Sequence, residues 1–390
     1  MFWIEGFPAA VRRCVLACLL LSVPAWGAMP LQAAESTAPD EPEVWLVTYG
    51  PGEIYWQRFG HNAIWVRDAR LGLDHTFNFG FFDFEQERFF LRFLLGRMLY
   101  FAAAQRAGDE FAQYVAENRG IRAQRLALDP AQASGLARHL LRAVQPENRD
   151  YLYHYYDDNC STRVRDALDA ALGGALKAAT ASEPARLDWR GHTRRLTQTD
   201  FWLYLGLETV LGWPVDRPIS RWDEMFIPGV LAEVVAEQDG LVLEKRVIHP
   251  ATLEPPPPTP GSVWPRYLLA SAALLALLAL AGRRWRLVGL ARAWLVLTGL
   301  AGLVQLFFWF GTDHAVAAWN ANLLLLNPLC LALLAGKGAA RLAWPLVTVC
   351  GLVAVVQAML PGQYTADVVA ALLPLNLGAA WVLRAGAGRG

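Results

Sequence analysis

The stretch YHYYDDNCSTRVRDALD, Tyr153 to Asp169, decides how this chain is read. It carries Cys160, the one cysteine of five that stands outside strongly apolar runs. Asp157, Asp158 and Asn159 are good helix N-cap formers, and Val164, Leu168 and Leu172 recur behind them at helical spacing. Cys160 is therefore expected to open an amphipathic helix. There, unpaired N–H groups and the positive end of the helix dipole favour the nucleophilic thiolate, while the flanking carboxylates oppose it. Such a thiol needs a base, and His61 in RFGHNAIWV is the candidate, a polar residue entering the strand-like run Ala63 to Val66 directly after a glycine. The competing reading makes Cys160 a small core residue and His61 a hydrogen-bonded strand histidine.

Working outward, VWLVTYG and HTFNFGFF read as strands on either side of the His61 strand, the last two forming a hairpin. In that hairpin His75 or Asn78 stands beside His61 and orients its ring, as a third group does in Cys-His hydrolases, with Asn62 and Asp68 as weaker neighbours. Gln86 to Gln105 reads as one aromatic helix: Phe89, Phe90, Phe93, Leu94, Met98, Leu99 and Phe101, interrupted by Arg88, Arg92 and Arg97. Its stripe fits a core face, or an interfacial helix whose arginines meet lipid phosphates. Asp109 to Glu117 continues as helix, IRAQRLALD as strand, and DPAQASGLARHLLRAV as a helix capped by Asp129 with Pro130 at its first position; His139 on it is a surface residue. Thr193 to Gly212 and Asp223 to Glu237 are helical patterns, and LVLEKRVIH is a closing strand.

At 390 residues and 55% hydrophobic, the chain is too apolar to be wholly soluble. Its zero formal charge argues against a nucleic-acid partner, and it has no zinc-type cysteine spacing, so neither a metal nor another cofactor is expected. Arg12, Arg13 and CVLACLLLSVPAW followed by small residues read as a secretory signal over residues 1–34. A mixed α and β domain follows over 44–250, then the stiff linker EPPPPTPGSVWP within 251–265. Residues 266–384 hold five expected transmembrane helices: Tyr267 to Ala281, Ala293 to Phe310, Ala315 to Leu334, Leu342 to Leu360 and Ala366 to Leu383. Lys and Arg alternate between their loops, which places the mixed domain outside the cytoplasm of a multi-pass inner-membrane protein. The third span is polar, with Asn320, Asn322 and Asn327, and Asp313 and His314 precede it; these groups either glue helices together or meet a lipid head group.

VTYGPGEIYWQRFGHNAIWV, FNFGFFDF and YHYYDDNCSTRVRD resemble the family named for the Lnb N-terminal periplasmic domain, found in bacterial lipoprotein N-acyltransferases of the Lnb type. The order, histidine strand first and cysteine helix later, is similar to the circularly permuted papain-like fold of lecithin:retinol acyltransferase relatives. The resemblance implies an α+β periplasmic domain with an antiparallel sheet and helices, followed by an all-α multi-span membrane domain. It also implies Cys160 as nucleophile and His61 as base, leaving His75 and Asn78 open as the third group.

The chemistry this implies is transfer of a fatty acyl group from a phospholipid, through a Cys160 thioester, to the N-terminal amine of a lipoprotein, with helix-start amides around Cys160 and Ser161 holding the oxyanion. Asn62, Asn159 and Ser161 beside the dyad, with Asp313, His314 and Asn322 at the membrane end, are the candidate substrate-binding residues. Two other functions fit the same residues: a papain-like amidase or peptidase acting on cell-wall peptides, and a membrane-anchored binding module without catalysis.

Overall fold

In the computed structural model, β1 (Glu43–Tyr49) is buried along nearly its whole length, which its apolar sequence EVWLVTY allows on both faces. It pairs with β2 (His61–Asp68) on one side and β5 (Ile121–Leu126) on the other. With β3 (Leu73–Phe81), β4 (Leu99–Arg106), β6 (Asp150–Leu152) and β7 (Val242–His249) it forms a seven-stranded sheet of order β6-β4-β3-β2-β1-β5-β7, antiparallel throughout. The structure describes residues 42–282, 284–332 and 336–387; the expected signal, with Cys14 and Cys18, lies outside them.

The longer helices of the sheet domain are α1 (Phe89–Leu95), α2 (Ala107–Ala116), α3 (Pro130–Ala143), α4 (Cys160–Ala171), α5 (Trp189–Thr197), α6 (Phe201–Val210) and α7 (Pro228–Glu237). Alternation along the strands divides them between two faces. Val44, Leu46, Ile64, Val66, Phe77 and Phe79 meet α3, α4 and α7 in the larger core. Trp45, Val47, Tyr49, Ala63 and Trp65 meet Phe111 and Tyr114 of α2 in the smaller one.

The single aromatic helix expected over Gln86 to Gln105 is two elements. Gly96, at φ +75°, caps α1 after seven residues, and the apolar run that follows enters the sheet as β4. Leu99 to Ala104 is as compatible with a strand as with a helix, and pairing with β3 decides it.

Beyond the linker come α8 (Trp264–Ala281), α9 (Arg284–Phe310), α10 (Lys337–Met359) and α11 (Ala366–Ala387), with α11 packed against the other three. By length and apolar character, Arg286–Phe310 and Ala366–Ala385 suffice to cross a membrane; Trp264–Leu280, Ala321–Ala332 and Trp344–Met359 are shorter. The third expected span is not a continuous helix. Its described residues form 3-10 turns at Ala315–Ala317 and Ala321–Leu324 and one short turn of helix at Leu329–Ala332. The reason lies in its asparagines. Asn320 donates to the carbonyls of Thr209 and Val210, and Asn322 to those of Glu208 and Thr209, so this segment satisfies the open C-terminal end of α6 rather than its own ladder.

Charge fastens the same junction. Arg190 of α5 is 1% exposed and pairs with Asp216 at 2.7 Å and Glu208 at 3.4 Å, while Arg194 reaches Asp367 at the start of α11 at 3.3 Å. Removing one member of such a buried set strands the others, a penalty on the order of 3–5 kcal/mol, so the sheet domain and the helical region are held in one arrangement.

Candidate active site

The start of α4 is set by Asn159. Its Oδ1 accepts from the amides of Ser161 (2.9 Å) and Thr162 (3.0 Å), and its own amide donates to Thr162 Oγ1 at 2.8 Å. This cap is worth about 1 kcal/mol. The Asn159 Nδ2 group donates to the carbonyls of Tyr155 and Phe226. The Ser161 hydroxyl lies 2.9 Å from Asn62 Oδ1 and 2.6 Å from the Met225 carbonyl and donates to one at a time; Asn62 Nδ2 donates to Thr48 Oγ1 and the Val47 carbonyl. Asn62, Asn159 and Ser161 are all buried, so their side chains lock α4 onto β2 and do not face a substrate.

Alternation sends Asn62 toward α4 and His61 toward α2, on opposite faces of the sheet. Cys160 meets the start of β2 at the Asn62 amide, because it enters at the end of the sheet and not its middle. The β2–β3 ladder begins at Ala63 and Asn78, and β3 then departs through an irregularity between Asn78 and Phe81. Gly80, at φ +94°, lies in that departure, and a Cβ there would stand 3.4 Å from the Cys160 Cβ. The gap beside the first residues of β2 receives the sulfur. Backbone amides of Asn62, Ser161 and Cys160 itself reach it, so the thiol meets the peptide that joins His61 to Asn62. Because Asn159 already takes up the Ser161 amide, those of Cys160 and Asn62 are the donors best placed for a developing oxyanion. Cys160 and His61 are each partly exposed.

On the α2 side, His61 Nε2 lies 2.9 Å from Asn78 Oδ1. The direction of that bond follows from the next one. Asn78 Nδ2 is 2.7 Å from Glu110 Oε2, and a carboxylate accepts, so the amide nitrogen faces Glu110 and Oδ1 faces the imidazole. An accepting Oδ1 requires the proton on Nε2, which leaves the Nδ1 lone pair as the base. Thr76 Oγ1 also donates to Glu110, and Tyr49 and Tyr114 stack beside the His61 ring at 5.8 and 6.4 Å.

Burial sets the resting protonation. It disfavours imidazolium and lowers His61 to about 4, an effect that the Asn78 bond opposes and the nearby Arg119 guanidinium reinforces. Burial likewise disfavours thiolate and raises Cys160 to about 11 against the pull of the three amides and Arg119. Burial thus works against the thiolate that the helix start favours, toward a thiol and a neutral imidazole. Glu110 is pushed up by burial and pulled back by hydrogen bonds from Thr76 and Asn78.

Of the two candidates for the third group, Asn78 reaches His61. His75 is three positions away on the other face of β3, and its Nδ1 accepts the Asp74 amide. At the membrane end, Asp313 pairs with Arg97 at 2.7 Å, His314 Nε2 lies 2.9 Å from the Phe93 carbonyl, and Asn322 is 1% exposed against α6. Asp313 and His314 thus hold the α1 end, and Asn322 is closed to a substrate. Glu110 was not among the expected site residues. Its signal was present: with Ala107, Phe111 and Tyr114 it occupies the inward stripe of α2, where a carboxylate needs a reason to be.

These features define an α+β antiparallel-sheet domain with Cys160 and His61 both at the end of its sheet, joined to a helical region. A family model described as the Lnb N-terminal periplasmic domain matches residues 31–195, and one described as the Lnb transmembrane domain matches 259–383, about three quarters of the chain between them. The chain belongs to the Lnb-type family and is a membrane protein with a periplasmic domain. No curated protein matches it. No solved structure matches it either.

Alkylation of Cys160 by iodoacetamide is expected to keep accelerating with pH through the alkaline range toward about 11, because burial holds the proton on sulfur. A rate already level below pH 7 would reveal a thiolate–imidazolium pair and contradict the assignment. Glu110→Gln, whose amide can face Asn78 either way, is expected to lower turnover through Cys160 about a hundredfold with KM little changed. An unaltered kcat would remove Glu110 from the positioning chain.

Proposed function

We propose that the protein is a cysteine-dependent acyltransferase that moves a fatty acyl group from a phospholipid to the N-terminal amine of a lipoprotein at the periplasmic face of the inner membrane. The observation that carries this reading is the thiol of Cys160 held against the peptide that joins His61 to Asn62, with the Nδ1 lone pair of that histidine left free by its Asn78 bond. Membership of the Lnb-type family and the order of histidine strand and cysteine helix, similar to permuted papain-like enzymes, support it.

In this mechanism His61 Nδ1 takes the Cys160 proton as the sulfur attacks the ester carbonyl. The amides of Cys160 and Asn62 receive the oxyanion. Collapse breaks the ester C–O bond, and His61 returns the proton to the departing lysophospholipid, leaving a thioester on Cys160. The lipoprotein α-amine then attacks that carbonyl, His61 takes a proton from the nitrogen, and collapse forms the amide and restores the thiol. A neutral resting pair suits both halves, since the imidazole is ready as base at each. Asn78 positions the ring, and Glu110 positions Asn78.

A peptidase or amidase would use the same residues with water in place of the amine. The two acceptors separate in one experiment. Full-length protein in detergent, incubated with phospholipid and then with a diacylated lipopeptide bearing a free N-terminus, is expected to gain one acyl group on Cys160 and pass it to the peptide amine by intact mass. Free fatty acid as the sole product would favour hydrolysis. No adduct at Cys160, or full N-acylation by Cys160→Ala, would contradict the proposal.

A further inference from the structure

The aromatic side chains between Cys160 and α1 run from the edge of the core, at Tyr153 and Tyr100, out to the surface. No residue of α1 is buried; Phe90 is 78% exposed and Phe84 57%. A water-facing helix with that surface is a liability unless something apolar covers it. Two further observations say what does.

The first is continuity toward the thiol. A Cβ at Gly80 would lie 3.4 Å from the Cys160 Cβ and 3.6 Å from Tyr153 Cε2, so Tyr153 flanks the sulfur's gap. From Tyr153 the rings run on without a break: Tyr100 at 4.2 Å between centroids, Phe82 at 5.3 Å, Phe89 at 6.1 Å and Phe93 at 6.4 Å. Tyr100, Phe82 and Phe89 are half-buried.

The second is where the far end is tied. The amide of Asp313 donates to the Leu95 carbonyl at 2.8 Å, its carboxylate pairs with Arg97, and His314 Nε2 bonds the Phe93 carbonyl. A Cβ at Gly96 would come within 2.8 Å of the His314 nitrogen, so the loop sits directly on the end of α1. That loop follows α9, whose last residues Phe307 and Phe310 are themselves exposed. The aromatic surface of α1 therefore continues the apolar surface of the helical region.

We propose that the row Phe93, Phe89, Phe82, Tyr100 and Tyr153 is the track along which the fatty acyl chain of an outer-leaflet phospholipid lies, leading from the bilayer at α1 to the sulfur of Cys160. This rests on the acyltransferase reading, to which it adds the binding surface for the donor chain. Flat aromatic faces take up methylene chains with large buried area and no demand for polar partners, and they tolerate variation in chain length. The hydroxyls of Tyr100 and Tyr153 mark the end nearer the ester, where polarity is wanted.

Two measurements on the full chain test the track. In vesicles of phosphatidylethanolamine and phosphatidylglycerol doped with phosphatidylethanolamine carrying a diazirine at its acyl terminus, irradiation is expected to label residues 82–93. Labels confined to α8 through α11 would overturn the track. In Phe82→Ser/Phe89→Ser, the ratio of Cys160 acylation by p-nitrophenyl palmitate to that by p-nitrophenyl acetate is expected to fall at least tenfold; an unchanged ratio would overturn it too. Failure of the underlying function looks different. There Cys160 is acylated by neither ester, whatever the crosslinks show.

Discussion

The structure depends on one fit: the first turn of α4 entering the gap that β3 opens beside the start of β2. Three features made far apart in the chain meet there. The β3 irregularity with Gly80 makes room, the Asn159 cap defines where the helix begins, and the Ser161–Asn62 contact sets how far it advances. Each is a modest interaction, yet together they fix the sulfur against a single peptide. A shift of one residue in β2 would exchange the faces of His61 and Asn62 and dismantle both the lock and the base.

The base is oriented by a chain of bonds in which each donor leaves its neighbour one choice. Glu110 accepts, so Asn78 turns its nitrogen inward; Asn78 then accepts from Nε2, and Nδ1 is left free. Burial shapes the same site by favouring the uncharged forms of Cys160 and His61. In the proposed reaction such groups give up the ready nucleophilicity of a preformed thiolate and hold a base that is available throughout the neutral range. The cost falls at low pH. The folded state keeps His61 neutral down to about 4, whereas an unfolded histidine takes its proton near 6.5, so this group's contribution to stability is present above that value and declines as pH falls between the two.

Much of this was legible in the chain. The Cys160 helix start, the His61 strand, the hairpin to Asn78, the capped helix at Asp129 and the closing strand all follow from local periodicity and capping chemistry. What was not legible depends on tertiary pairing. The run after Gly96 is a strand because β3 is there to receive it, and the third apolar segment is irregular because its asparagines find the end of α6. The thiol's protonation could not be read from a helix N-terminus, since the burial that opposes the dipole is supplied by β2, β3 and Tyr153. Glu110 shows the same limit: its place on the inward stripe of α2 was visible, but its partner Asn78 lies 32 residues earlier.

The most direct test of the central claim is an experimental structure of the full chain with Cys160 alkylated by the chloromethyl ketone of palmitic acid, which leaves a long-chain ketone one methylene from the sulfur. The adduct is expected to show the sulfur in the gap, its carbonyl oxygen toward the amides of Cys160 and Asn62, and His61 Nδ1 turned toward the reacting atoms with Nε2 still on Asn78. A His61 Nδ1 out of reach of the reacting atoms, or a sulfur modified on a surface out of reach of β2, would contradict the account.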